Sequence, residues 1–318
     1  MTLNNNKIIL IYLICYLSLI FGFFFNEDFA FGFIRDYLLH LRHIYIFDES
    51  IVKGFLSYEE EKIPHSPIFM LYMYFIENFS QNNNFAKLIN LHLCLFIPYF
   101  FYKALKIKYK NNFNSYFFLI PVLLFLSPYF RSGSIWIDDN LFAIIFFSIS
   151  IYYFINFQFE DRSLKFVFLN TIFFALACYM RPIYCLFGFY FFLSYFNNLE
   201  KKSHLLYYII LNILLSLPAF YYVFILEINE WFQQHLFREN IITFFALSSS
   251  VLFFYFFPYI FYFIKENKIK KFTKLDFFIG FGYFVLLLLF FDYSLPYSGG
   301  IFYRIFNLIA DSNLLFYF

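Results

Sequence analysis

Long apolar runs, separated by short basic or mixed segments, fill almost the whole chain. A membrane-crossing helix needs about 20 mostly apolar residues. The runs that fit are Ile8–Phe25, Lys87–Tyr102, Ser115–Phe130, Asp139–Phe157, Phe166–Met180, Ile183–Phe196, Leu205–Leu226, Ile241–Ile264 and Leu275–Phe291. The pattern predicts an all-α, polytopic transmembrane helical bundle of about nine spans. Ile301–Phe318 reads as an interfacial helix running into a further, incomplete span. Ile8–Phe25 follows Lys7 and has no small-residue cleavage site after it, so it reads as an uncleaved signal anchor. Ser66–Phe79 is apolar but too short to cross, and reads as a helix lying on the membrane surface.

The basic residues set the orientation, because cytoplasmic loops of membrane proteins are enriched in Lys and Arg. Lys103, Lys106, Lys108 and Lys110 form one cluster, and Lys265, Lys268, Lys270, Lys271 and Lys274 another. Arg162 with Lys165, and Lys201 with Lys202, form smaller ones. All of them share a side with Lys7 only if Ser66–Phe79 does not cross. Residues 26–86 then form one large extracytoplasmic loop that carries interfacial helices, within a single module covering residues 1–318. The opposite side holds Lys53, Lys62 and Lys87, but six arginines: Arg35, Arg42, Arg131, Arg181, Arg238 and Arg304. Arginine outside runs against the usual bias. Its planar fork suits phosphate and carboxylate, although arginine also snorkels to the interface for purely structural reasons.

Composition agrees with the pattern. The chain is 62% hydrophobic and 14% charged, whereas soluble domains carry about 25% charged residues. A net charge of +2 leaves no basic footprint for a nucleic acid. Cys15, Cys94, Cys178 and Cys185 all lie in apolar runs without a CxxC pair, so neither a disulfide framework nor a zinc site is expected. The abundance of Phe and Tyr is equally explained by codon bias and supports no argument about aromatic belts.

Four segments on the arginine side carry candidate chemistry. In Gly32–His43, Asp36 and His40 are four residues apart and share a helical face, which His43 extends. An Asp at the membrane surface beside Arg and His suits a general base; the alternative is a solvated amphipathic helix. Tyr58 and the run Pro64-His65-Ser66-Pro67 precede the short surface helix. In Ser127–Asn140, the adjacent Asp138 and Asp139 open a span, where capping is the structural alternative. Arg181-Pro182, followed by Tyr184, interrupts a long apolar run at the tip of a helical hairpin. An arginine there is costly without an anion.

The order of these motifs resembles the GT-C superfamily of polytopic glycosyltransferases, which use polyprenyl-phosphate sugars. The residues that carry the resemblance are Arg35-Asp36-Tyr37 with His40 just after span one, Pro64–Pro67, the Ser-Pro-x-x-Arg element at Ser127–Arg131, Asp138-Asp139-Asn140-Leu141, and Arg181. It covers roughly residues 1–200 and is topological beyond them. The family is usually longer, and this chain ends inside the apolar run Asn313–Phe318.

The resemblance implies transfer of one sugar from a polyprenyl-phosphate donor to a glycan or lipid-linked acceptor at the outer face of a plasma membrane, bacterial by expectation, among membrane lipids. No cofactor or metal is implied. Asp36 is the implied catalytic base. His40, Tyr58, Arg131, Asp138, Asp139, Arg181 and Tyr184 are the implied substrate-binding residues, with Arg131 and Arg181 as candidates for the donor phosphate. Two other classes compete. A polysaccharide polymerase would carry paired arginines in a large mid-chain outer loop, but Glu227–Asn240 is short and holds only Arg238. A lipid-linked glycan flippase would show internal repeats and broken helices; no repeat is visible, and Phe257-Pro258 is a candidate kink in one span.

The topology is open to direct test. A single cysteine at position 53, in a cysteine-free background, is expected to react with an impermeant maleimide in intact cells. One at position 106 is expected to react only after permeabilisation. The reverse pattern would overturn the orientation.

Overall fold

The computed structural model describes residues 5–30, 32–58, 60–63, 65–80, 82–110, 115–199 and 201–225, with a few helical positions between 278 and 285. The chain divides into two compact units, Met1–Leu236 and Phe237–Phe318, and nearly all described residues belong to the first. The readings placed on Pro64, Glu227–Asn240, Ile241–Ile264, Lys265–Lys274 and Ile301–Phe318, and on most of Leu275–Phe291, lie outside the described residues.

The described secondary structure is helical throughout. The helices are α1 (Asn5–Phe24), α2 (Phe33–His43), α3 (Ile51–Leu56), α4 (Pro67–Ser80), α5 (Asn83–Cys94), α6 (Phe96–Lys108), α7 (Leu119–Val122), α8 (Pro128–Trp136), α9 (Asp139–Phe159), α10 (Leu164–Met180), α11 (Leu186–Asn198) and α12 (Lys202–Phe224). Three are long and apolar enough to cross a membrane: Asn83–Lys108, in which α5 and α6 run on through a joint at Leu95, Asp139–Phe159 and Ser203–Tyr222. Ile9–Phe24 and Leu164–Met180 are shorter apolar helices. The protein is therefore a multi-pass helical membrane protein.

One expected span has a different form. Ser115–Phe130 is not a continuous helix. It is a 3-10 turn at Ser115–Phe118, the single turn of α7, a second 3-10 turn at Leu123–Leu126, and the start of α8. Pro121 and Pro128 explain this, since neither supplies a backbone N–H and each ring crowds the preceding turn. Ser127 is extended, and its side chain accepts a hydrogen bond from Phe130 N at 3.4 Å. The Ser-Pro pair thus starts a new helix. The run Ile183–Phe196 likewise opens with a 3-10 turn, Pro182–Cys185, before α11. The apolar segment at 66–79 forms α4, which buries Phe69, Met70, Met73 and Ile76.

Two ends of the bundle emerge from the packing. α9 packs against α6 on one side and α10 on the other, and α10 against α12. Lys110, just past α6, pairs with Glu160, just past α9, at 3.0 Å, so α6 and α9 run in the same direction. α9 has 21 residues, which separates its ends by about 31 Å. The clusters around Lys103–Lys110 and Arg162–Lys165 therefore lie at one end, and Asp138 and Asp139 at the other. This relative placement is what the lysine pattern predicts. Toward the lysine end, a polar link ties three helices: Asn170 Nδ2 donates to Ser150 Oγ at 2.7 Å, and Tyr195 O–H donates to Asn170 Oδ1 at 2.9 Å. Such bonds between apolar helices contribute roughly 0.6–2 kcal/mol each.

α8 crosses tightly at Gly133. A Cβ built there would lie 2.9 Å from Leu141 Cδ1 and 3.1 Å from Phe33 Cε1. The glycine lets α8 approach both α2 and the start of α9. Gly133→Val is expected to lower stability by about 1–3 kcal/mol through overpacking, read as a lower melting temperature in detergent. An unchanged melting temperature would mean that these three helices are not this close.

Candidate functional site

The site assembles at the start of α9. Ile137 joins α8 to α9 with φ 57, the left-handed region that β-branched residues avoid. This turn costs on the order of 1–3 kcal/mol, and strain of this kind is held where surrounding contacts demand it. Asp138 then caps α9, its Oδ2 accepting from Leu141 N at 3.0 Å. The same carboxylate accepts from Tyr129 O–H and from Asn140 Nδ2, each at 3.2 Å. The capping alternative for Asp138 is thus what the geometry shows. Burial, reinforced by the charge of Asp139, raises its carboxyl above the usual range.

Asp139 faces the other way and is 2% exposed. Its Oδ1 accepts from Arg181 Nη2, and its Oδ2 lies 3.3 Å from His65 Nδ1. A carboxylate only accepts, so Nδ1 of His65 carries a proton toward it. Arg181 reaches this point because α10 ends at Met180 and Arg181 is extended ahead of Pro182. His65 is anchored in turn: Tyr58, fully buried, donates its O–H to the His65 carbonyl. Ser66 Oγ donates to Tyr179 O at 2.5 Å, tying the start of α4 to the end of α10.

α2 lies over this group. Its buried face is Phe33, Tyr37 and His40. The His40 ring stands edge-on to His65 with centroids 4.2 Å apart, and on its other side meets Phe69 at 5.0 Å. Among the described residues, neither ring nitrogen of His40 has a hydrogen-bond partner, although the residue is 1% exposed. Burial first, then the nearby His65, pushes its pKa down to about 3. Asp36 sits on the outer side of the same helix and is exposed. Loss of water around it raises its pKa; Asp139 adds to the rise, while His65, Arg35 and Arg181 oppose it. Asp36 therefore shares one electrostatic environment with His65, Asp139 and Arg181. Tyr184 packs on Phe147 at 4.7 Å and lies within reach of the charges of Arg181 and Asp138.

Arg131 does not join this group. Its Nε and Nη2 donate to the two oxygens of Glu27 at 2.5 Å each, and Nη1 and Nη2 also bond Ser18 Oγ and Ser18 O. A Cβ at Gly22 would lie 2.3 Å from Glu27 Oε2, so the glycine in α1 makes room for the carboxylate. A cavity of about 660 Å³ lies beside this pair, lined by Ser18, Gly22, Asp28 and Phe29 among others. The polar groups of Arg131 there are already committed to protein. Lys87, read as a span boundary, is 5% exposed and stands over the Trp136 ring at 4.2 Å.

Sequence reasoning therefore singled out Asp36, His40, Tyr58, Asp138, Asp139, Arg181 and Tyr184, which the fold gathers, and Arg131, which it sets apart. It did not single out His65 or Glu27. For His65 the signal was present in the Pro-x-x-Pro turn directly ahead of an apolar helix. Glu27 had only its place at the end of α1. Among the described residues, no group of three or more His, Cys, Asp or Glu side chains is arranged to hold a metal ion. Comparison with protein-family models, with curated proteins and with solved structures gives no match.

The buried neutral His40 has a measurable consequence. An unfolded histidine titrates near 6.5 and takes up a proton below that pH, whereas folded His40 does not until about 3. Its neutral burial thus favours the fold above pH 6.5, and this contribution is lost as the pH falls toward 3. The slope is about 1.4 kcal/mol per pH unit. His40→Phe is expected to flatten the fall in melting temperature between pH 6.5 and 5. An equal fall in both proteins would show that His40 is not buried in its neutral form.

Proposed function

We propose that this protein is a membrane glycosyltransferase of the GT-C type, moving one sugar from a polyprenyl-phosphate donor to a glycan or lipid-linked acceptor at the extracytoplasmic face. One observation carries the reading. Asp36, His65, Asp138–Asp139 and Arg181 come from segments separated by tens of residues and converge at the end of the bundle opposite the lysine clusters. Lysine-rich ends face the cytoplasm, so the converging groups face outward. In this reading the membrane is a plasma membrane.

The chemistry asks for a base, a counter-charge for phosphate and orientation. Asp36 is the base: it is exposed, and its raised pKa makes it a stronger proton acceptor than an ordinary carboxylate. It removes the proton of the acceptor hydroxyl as that oxygen attacks the anomeric carbon. The bond from that carbon to the phosphate oxygen breaks, and the lipid phosphate leaves with the electron pair. Direct displacement inverts the anomeric centre. Arg181, held at the rim by Asp139, meets the charge of the departing phosphate. The Nε2 edge of His65 suits sugar hydroxyls, while His40, 1% exposed, packs behind it. Arg131 is left as a strut between α1 and α8, and the phosphate role falls to Arg181 alone.

The experiment is sugar transfer by purified protein with a panel of polyprenyl-phosphate hexoses. Asp36→Asn, at an exposed position, is expected to keep the melting temperature and lower turnover about 10²–10⁴-fold. Arg181→Lys keeps the charge on Asp139 but loses the planar fork, and is expected to lower turnover about 10²-fold or more. Wild-type turnover by Asp36→Asn would overturn the assignment of the base. Absence of transfer by the wild type across the panel would overturn the donor class.

A further inference from the structure

The outer face of α2 carries a second feature, unrelated to the catalytic reading. Arg35, Leu38 and Arg42 follow at i, i+3 and i+7 and form one stripe, with Leu39 beside it. The two arginines are seven residues apart, about 10 Å along the helix. Both are exposed, and Leu38 between them is 51% exposed. With Asp28, Gly32 and Ile34, these residues line an open groove of about 540 Å³.

The two arginines differ from their buried counterparts. Arg131 is paired with Glu27, and Arg181 with Asp139. Among the described residues, Arg35 and Arg42 make no hydrogen bond or ion pair. Asp28 shares the groove, but its Oδ2 accepts from Gly32 N and Ile34 N at 3.2 Å each, where it holds the start of α2. The charge of Arg35 reaches Asp36 and that of Arg42 reaches His43 without pairing either. Among the described residues, both guanidinium groups thus keep their donors open to a ligand. The groove is also apolar between the charges, which free anions in water do not require.

We propose that this groove binds the headgroup of an anionic glycerophospholipid. Its phosphodiester lies between the Arg35 and Arg42 forks, and its acyl chain covers Leu38, Leu39 and Ile34. The chemistry fits both parts of the surface: guanidinium matches phosphate in a bidentate manner, and exposed leucines gain from acyl contact. The position fits as well. α2 begins at Phe33, nine positions after the apolar α1 ends at Phe24, and Phe24 and Phe25 there are exposed. An amphipathic helix at that level lies in the interface plane. The bound lipid holds α2, and with it Asp36 and His40 on its other faces, against the membrane surface.

The test uses purified full-length protein and two probes, phosphatidylglycerol and phosphatidylcholine, with bound lipid counted by native mass spectrometry and melting temperature measured in detergent. The wild type is expected to retain phosphatidylglycerol in preference to phosphatidylcholine and to be stabilised by it. The preference should weaken as salt is raised. Arg35→Gln with Arg42→Gln should weaken phosphatidylglycerol binding about tenfold or more and leave phosphatidylcholine binding unchanged. Each single variant should give a smaller loss, which separates the effect from misfolding of the double variant. Equal binding of the two lipids by the wild type, or unchanged phosphatidylglycerol binding by the double variant with an unchanged melting temperature, would overturn the proposal. Neither outcome depends on sugar transfer.

Discussion

A carboxylate buried at the mouth of the bundle has to find donors, and Asp139 finds two, the guanidinium of Arg181 and the imidazole of His65. The cost of taking an ion out of water is several kcal/mol even after relaxation. It is offset here only because Arg181 and His65 arrive from different parts of the chain. That single requirement brings the start of α9, the end of α10 and the turn before α4 to one point. Removing one partner of such a pair costs about 3–5 kcal/mol, because the remaining charge stays buried. The arrangement of the functional end depends on this contact more than on any one apolar contact around it.

The second buried pair plays a different part. Glu27 and Arg131 meet through two parallel bonds, and Ser18 supplies further acceptors. The pair joins other elements than those the Asp139 group joins. It fastens α1 to α8, and α8 is the helix whose last turn passes into Ile137 and the capping Asp138. Trp136 adds to the same joint by donating its indole N–H to Glu27 O at 2.9 Å. One ion pair therefore sets the height of α8 against the first helix, and the other sets which residues face it. An arginine saturated by protein and an arginine at the edge of a site look alike in sequence. They differ only in what surrounds them.

The apolar surfaces complete the design. α12 exposes Leu206, Ile210, Ile213, Leu217 and Phe220, which suits a lipid-facing helix. α2 and α4 instead each bury one face in the core, Phe33, Tyr37 and His40 from α2 and Phe69, Met70, Met73 and Ile76 from α4.

Length and periodicity alone were enough to place the apolar helices α1, α9, α10 and α12, because a run of about 20 apolar residues has few other stable forms in a membrane. The lysine pattern was enough to put the Lys103–Lys110 and Arg162–Lys165 clusters at one end, since it depends on composition near helix ends and not on packing. The spacing of Asp36 and His40, and the pair Asp138–Asp139, were likewise readable, because neighbours on a helix are neighbours in sequence. The broken course of Ser115–Phe130 was harder: its prolines were visible, but its hydrophobicity alone resembled a span. What only the tertiary structure decided was the pairing of charges. Glu27 meets Arg131 across 104 positions, and Asp139 meets His65 across 74 and Arg181 across 42. A buried charge needs a partner but does not specify from where along the chain it comes. That choice is made by the packing of helices, where the desolvation of every charge is offset together.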